Sequence, residues 1–433
     1  MSKILIGRGD TDLNYPICRP SLDLDFTQEE LDPRITFTRG SIGTRVNRNR
    51  LIETVDANQP RFDYDPVTGE CKGLLIEESR QNLFTNSNDF TVWTKQTTGT
   101  GVVGITTNYT TSPDGTTNAT RYFIQNGGGT FYSIFRGVSP ISANTSYSYS
   151  IFVKASTTVP VPASSFTLVV FDGSIASFVT YNLNTGTIQS TFANTNLTIG
   201  SGSTITNYGN GWYRCVFVFS HSVGGSGFQF KADIGSTRHN QELFIYGAQL
   251  EAGAFPTSYI PTTASTVTRS ADTASMTGTN FSSWYNQNEG TIYVNNKIPY
   301  TPSSVSLYFL IFGINAGNRH SIEQTTANGL TYITQNSGGI QYWSTSGSGV
   351  LPANTNRKTT YAYSSSNIKT LLSGTSNQTY TFSVKSTTDV YKSMTTMYIG
   401  RFSDSLYFLN GTISRLTYYP RALKPNQLQL LTQ

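Results

Sequence analysis

Short runs in which rings and β-branched side chains alternate with Ser, Thr or Asn recur along the chain, and they limit what it can fold into. Ser146-Tyr147-Ser148-Tyr149-Ser150 puts rings on one face and hydroxyls on the other, the two-residue period of a strand. Tyr208-Gly209-Asn210-Gly211 reads as a turn before a long strand. In that strand Tyr213, Cys215, Phe217 and Phe219 share one face, and Trp212, Arg214, Val216 and Val218 the other. Phe166 to Phe171 is nearly continuous in apolar residues, as expected of a strand covered on both faces. Few segments carry a helical period, so the fold class is all-β.

The 433 residues are enough for two or three domains, each able to bury a core. Charge divides them unevenly. Of 30 Lys+Arg and 25 Asp+Glu, 11 and 14 lie in residues 1–84. That block is also broken by turn signals such as Asp32-Pro33, Gln59-Pro60 and Asp65-Pro66-Val67-Thr68-Gly69. We therefore expect an irregular N-terminal region over 1–84, a β-sandwich over 85–260, a linker over 261–269 and a second sandwich over 270–433. Phe244, Tyr246 and Ala248 are expected on one face of the last strand of the first sandwich. Pro256 and Pro261 end pairing beyond it, because proline lacks the ladder donor.

Several classes of function find no support. Net charge is +5, but no Lys/Arg run would track phosphates, so nucleic acid is not an expected partner. Cys18, Cys71 and Cys215 lie far apart and are odd in number, which suits free thiols in a reducing cytoplasm. The apolar run in Met1-Ser2-Lys3-Ile4-Leu5-Ile6-Gly7 is too short for a signal peptide. No apolar stretch approaches the ~20 residues of a helical membrane span, so membrane insertion is not expected. His221, His239 and His320 are isolated, with no metal-ligand spacing. A glycosidase needs two carboxylates facing one bond. The close pairs, Asp23/Asp25 and Asp63/Asp65, alternate with Leu, Phe or Tyr and read as strand faces and turn caps. No catalytic residue is assigned, and the chain is expected not to be an enzyme.

A sugar presents an apolar C–H face to aromatic rings and hydroxyls to amides and guanidinium groups. On that logic the candidate glycan-binding residues are Trp212 with Arg214, Trp284 with Tyr285, and Tyr342 with Trp343. Trp93 reads as a packing residue.

Four stretches resemble a known family. They are Leu22-Asp23-Leu24-Asp25-Phe26, Leu31-Asp32-Pro33-Arg34-Ile35-Thr36-Phe37-Thr38-Arg39, Pro60-Arg61-Phe62-Asp63-Tyr64-Asp65-Pro66, and Gly73-Leu74-Leu75-Ile76-Glu77-Glu78-Ser79-Arg80-Gln81-Asn82-Leu83. Together they resemble the opening block of bacteriophage tail-fibre, head-fibre and spike proteins. Gly247-Ala248-Gln249-Leu250-Glu251 through Pro261-Thr262 is similar to the exit strand and linker of the carbohydrate-binding-module-like jelly rolls in those proteins. Met397-Tyr398-Ile399-Gly400-Arg401 and Leu409 to Leu428 resemble the end of a laminin-G/concanavalin-A-like sandwich. The resemblance implies a virion appendage, assembled in the host cytoplasm and docked through residues 1–84 onto capsid, portal or tail subunits. It would be a homotrimer binding host-surface polysaccharide. The other readings are a purely structural cement or tail component and a glycan-degrading tailspike. No cofactor is implied. Some relatives hold calcium, and Asp389 and Asp404 are acids in loops of the second sandwich, but two acids fall short of its six to eight oxygens. If residues 1–20 carry the docking, deleting them abolishes incorporation into particles and leaves the rest folded; normal incorporation of the truncated chain would refute this.

Overall fold

The computed structural model describes residues 18–432, except 126–131, 158–163, 235–240, 301–306, 316–317, 326–328, 337–338, 347–352, 365–367, 374–393 and 403–406. The chain is all-β, built as two sandwiches with antiparallel pairing throughout.

The first sandwich uses a contiguous run of chain. One sheet runs in the order Leu197–Ile199, Trp212–His221, Ser146–Ala155, Glu242–Ala252, Ala119–Gln125, Val102–Thr110, with Thr204–Asn207 also on Trp212–His221. The facing sheet has six strands: Thr187–Phe192, Ala176–Asn182, Ser165–Phe171, Gln229–Asp233, Tyr132–Gly137 and Thr94–Thr97. Between them lie Cys215, Phe217 and Phe219 from one sheet and Phe166, Leu168, Val179, Tyr181 and Phe230 from the other. Trp93 packs here against Phe84 and Phe90.

Alternation places most of these side chains, with one exception. Phe244 and Tyr246 point outward, but Ala248 and Leu250 point into the core. The ladder shifts register between Ser150 and Phe152, opposite Gly247, whose φ is +60°. An extra residue there flips the strand's faces, and only glycine takes that conformation at little cost.

The second sandwich is discontinuous, and here the N-terminal block departs from expectation. One of its sheets runs Ile368–Ser373, Asn356–Ser364, Glu289–Lys297, Gly411–Tyr419, Cys71–Ile76, Phe62–Tyr64. Leu22–Asp25 shares the free side of Gly411–Tyr419 with Cys71–Ile76. The facing sheet starts at Thr36–Thr38, then runs Thr273–Thr277, Thr396–Ile399, Leu307–Asn315, Asn318–Thr325, Gly329–Asn336 and Gly339–Ser346. Residues 18–84 are therefore not a separate irregular region. Leu22, Leu24, Phe26, Phe37, Phe62, Leu74 and Ile76 sit in one core with Ile292, Val294, Met397 and Leu416. The short C-terminal helix Pro425–Thr432 packs Leu428 beside Tyr419.

Three charges of that block, Arg39, Arg61 and Glu77, are buried and paired inside the protein. Arg39 Nη1 bonds Asp272 Oδ1 at 3.1 Å and donates its other N–H groups to the carbonyls of Ser41, Val55, Asp56 and Gln59. Arg61 pairs with Asp272, with Glu77 Oε2 at 2.8 Å, and with Ser258 Oγ at 2.8 Å. Arg269 lies 3.5 Å from Glu77 and donates to the Glu78 carbonyl at 2.8 Å. Glu77 in turn accepts from Ser258 N and Oγ. All five charged groups are buried.

Burial alone would raise the Glu77 carboxyl, but Arg269, Arg61 and the Ser258 hydrogen bonds outweigh it and hold the group at about 2. Its unfolded value is near 4.5, so the unfolded chain takes up the proton first as pH falls. The stability this group contributes is whole above about pH 4.5 and drains away towards pH 2, by about 3 kcal/mol. Urea midpoints across that range test this. Glu77→Gln should be destabilised by about 3–5 kcal/mol at neutral pH, because it strands buried cations, and its acid-side slope should flatten.

Candidate functional site

The two outer faces of the first sandwich differ. After Ala252 the chain folds back over the seven-stranded sheet, and the hairpin of Gly43–Val46 and Ile52–Val55 comes over the same face. Tyr259, Phe152, Phe244, Tyr246, Trp212 and Ile52 form one buried layer there. Glu251 accepts from Thr257 N at 2.9 Å, Gln249 from Ile260 N at 2.6 Å, and Thr44 Oγ1 donates to the Tyr259 carbonyl at 2.5 Å.

That cover decides the fate of the first expected pair. Trp212 is 2% exposed. Arg214 lies over the Phe152 ring and donates to Thr257 O at 2.8 Å and Ser150 Oγ at 3.1 Å. Neither presents a surface to a ligand; both pack against the segment that folds back after Ala252. Trp284 and Tyr285 are also corrected, because they are core residues of the second sandwich. They pack on Tyr418 at 5.0 and 5.3 Å, and Trp284 Nε1 donates to Asn280 O. The side chains of Tyr342 and Trp343 lie outside the described residues, as do Asp389, Asp404 and His239. Among the described residues no group of three or more His, Cys, Asp or Glu is placed to hold a metal.

The acid pairs have structural partners. Asp23 takes Arg415 and Thr417, and Asp25 caps a short turn at Thr27 N. Asp63 accepts from Val46 N and pairs with Lys72, while Asp65 caps the turn at Val67 and Thr68.

The outer face of the six-stranded sheet is different: among the described residues no element packs over it. Cross-strand register lines up Phe192, Phe178, Val169, Lys231, Phe135 and Thr94 in one row across all six strands. At a strand spacing of about 4.8 Å this row is about 24 Å long. A parallel row holds Ser190, Thr180, Thr167, Asp233, Ser133 and Gln96. On the other side lie Ala176, Phe171 and Gln229.

Phe192, 48% exposed, stacks on Phe178 with centroids 5.7 Å apart and planes at 27°. Lys231 Nζ sits 4.5 Å from the Phe171 centroid and 5.8 Å from that of Phe135, and donates to Gln96 Oε1 at 2.8 Å. Partial burial lowers the Lys231 ammonium from its ordinary value, opposed by Asp233. The Thr167 and Thr180 hydroxyls bond to each other at 3.0 Å. The result is a strip of apolar rings flanked by hydroxyl, amide, ammonium and carboxylate groups, suited to a ligand with apolar faces and polar edges. A second exposed ring, Tyr109, belongs to a closed set: it stacks on Phe244, and Arg121 over it is paired with Glu242.

Sequence reasoning that sought Trp and Tyr pairs passed over these phenylalanines. Their signal was a ring on the polar parity of a strand. In Ala176–Asn182 the core takes Val179 and Tyr181, yet Phe178 falls among Ala, Thr and Asn. Ser165–Phe171, read as covered on both faces, has Val169 buried on its outer face but Thr167 and Phe171 only half-buried there.

No family model matches the sequence, and no curated protein matches it. Among solved structures, the N-terminal CBM22-1-CBM22-2 tandem domain of Paenibacillus barcinonensis Xyn10C aligns over 81% of this chain and 100% of that chain, at 10% identity. Its TM-score is 0.25, too low to carry an argument about fold or site.

Proposed function

We propose that this chain is a glycan-binding protein that lays a polysaccharide across the row from Thr94 to Phe192, and that it works as an appendage of a bacteriophage particle. The observation that carries the binding reading is the row itself, with stacked Phe178 and Phe192 on the one outer face of the first sandwich that no described element covers. Sugar rings would stack on Phe192, Phe178 and Phe135, while Thr180, Thr167 and Gln96 would meet hydroxyls and Lys231 an acidic substituent. Binding without bond cleavage is the proposed chemistry. The virion reading is supported by the likeness of the N-terminal block, linker and closing strands to phage fibre and spike proteins. There, weak sites repeated over a particle would add up through multivalency.

Glycan-array screening of the purified chain, then calorimetry on the best ligand, tests the binding reading. Phe178→Ala and Phe192→Ala are each expected to weaken binding about tenfold, the equivalent of about 1.4 kcal/mol. Trp212→Ala is the contrasting variant. It should lower unfolding stability by about 3–5 kcal/mol and leave affinity unchanged wherever the protein stays folded. Equal affinity for wild type and both Phe variants would sink this reading.

A further inference from the structure

Charge is scarce on the six-stranded sheet, and one cation stands in the middle of its phenylalanine row. The strands carry four charged side chains, Lys95, Arg136, Lys231 and Asp233. Register sets Lys95 opposite Ile134 and Arg136 opposite Phe230, so both fall on the parity that faces the core. Lys231 and Asp233 are left on the outer face, and the three strands from Ser165 to Phe192 add no charge to it.

The ammonium of Lys231 is held among neutral groups. Its Nζ lies 4.5 Å from the Phe171 centroid and gives one hydrogen bond, to Gln96 Oε1. An ammonium has three N–H donors, so that bond leaves two. Asp233 is the charged group that acts on it, through space and without a hydrogen bond. Asp233 stands two residues along the strand, whereas Phe171 is aligned with Gln229, two residues the other way. The ammonium thus leans towards a ring and away from the acid. A cation half withdrawn from water gains from an anion brought to its open side.

The register also sets where such an anion would lie. Val169 follows Lys231 in the row, then Phe178, then Phe192. Strands about 4.8 Å apart put Phe178 about 10 Å and Phe192 about 14 Å from Lys231. A pyranose in an extended polysaccharide advances by close to one strand spacing, so successive sugars meet Lys231, Val169, Phe178 and Phe192.

We propose that the row selects an acidic polysaccharide, with a uronic acid seated at Lys231 and the sugars two and three places along stacked on Phe178 and Phe192. A uronic acid suits the place because its carboxylate projects from the ring edge and leaves the C–H face free for Phe135, whose centroid is 5.8 Å from Nζ. Lys231 sets the charge preference, and the phenylalanines supply affinity for the apolar faces. This deepens the glycan reading of the row and rests on it.

The test is an array of bacterial polysaccharides probed with the full chain. It holds hyaluronan, gellan and xanthan, each native and with its uronates reduced to neutral sugars, beside neutral dextran. Native acidic chains should bind, reduction should weaken them at least about tenfold, and added salt should weaken the native form only. Oligosaccharides cut from the best ligand should gain affinity up to about four sugars, the span from Lys231 to Phe192. Lys231→Met keeps the aliphatic stem over Phe171 and should abolish the preference for native over reduced chains; Lys231→Arg should retain it. Phe178→Ala should weaken both forms. Native and reduced chains bound alike, a preference that survives in Lys231→Met, or hits confined to neutral glycans would overturn this inference and leave the glycan reading standing. Binding of no glycan at all would remove both.

Discussion

Five charged side chains out of contact with water fix how the two sandwiches meet. Removing a guanidinium or carboxylate from water costs several kcal/mol, recovered only when every partner arrives in good geometry. Arg39, Arg61, Glu77, Arg269 and Asp272 come from both sides of the first sandwich in sequence, and Ser258, in the segment that follows Ala252, completes the Glu77 shell. The network therefore forms only when the N-terminal block, the segment after Ala252 and the start of the second sandwich are in place together. It is a lock on register and relative position more than a source of net stability.

That lock has an effect on the surface. By holding Ser258 it keeps residues 254–262 folded back, and those residues close the seven-stranded face over Trp212 and Arg214. Phe255 also stacks on Tyr300 of the second sandwich at 3.7 Å, so the same short segment serves both cores. One face is given over to intramolecular packing. The other carries the phenylalanine row, over which no described element packs.

Strand positions and most strand faces were legible in the sequence, because a two-residue period is local. Cys215, Phe217 and Phe219 turned inward as their spacing required. What failed was whatever depended on a distant partner. Ala248 changed face because of a bulge at Gly247, which alternation does not register. Residues 18–84 read as too polar and too broken by turns to hold a large core alone, and their core partners, like the ion partners of Arg39, Arg61 and Glu77, lie far along the chain. Trp212 and Trp284 have the chemistry of sugar platforms, but the segments that cover them lie elsewhere in the sequence. The phenylalanine row was half visible: Phe178 stands out on its strand, while its alignment with Phe192, Lys231 and Phe135 exists only through register.

The pairing of Leu22–Asp25 with Gly411–Tyr419 also imposes an order in time. Asp23 and Thr417, which share a hydrogen bond, are 394 positions apart, so the ribosome adds that length of chain before the first strand has its neighbour. The strands of the first sandwich, by contrast, have all emerged once residue 252 is out, and that unit can close around its own core while synthesis continues. During that interval Leu22, Leu24 and Phe26 are apolar residues without a core. The early strands of the second sandwich wait unpaired in the nascent protein, and the arrival of Gly411–Tyr419 ends the wait.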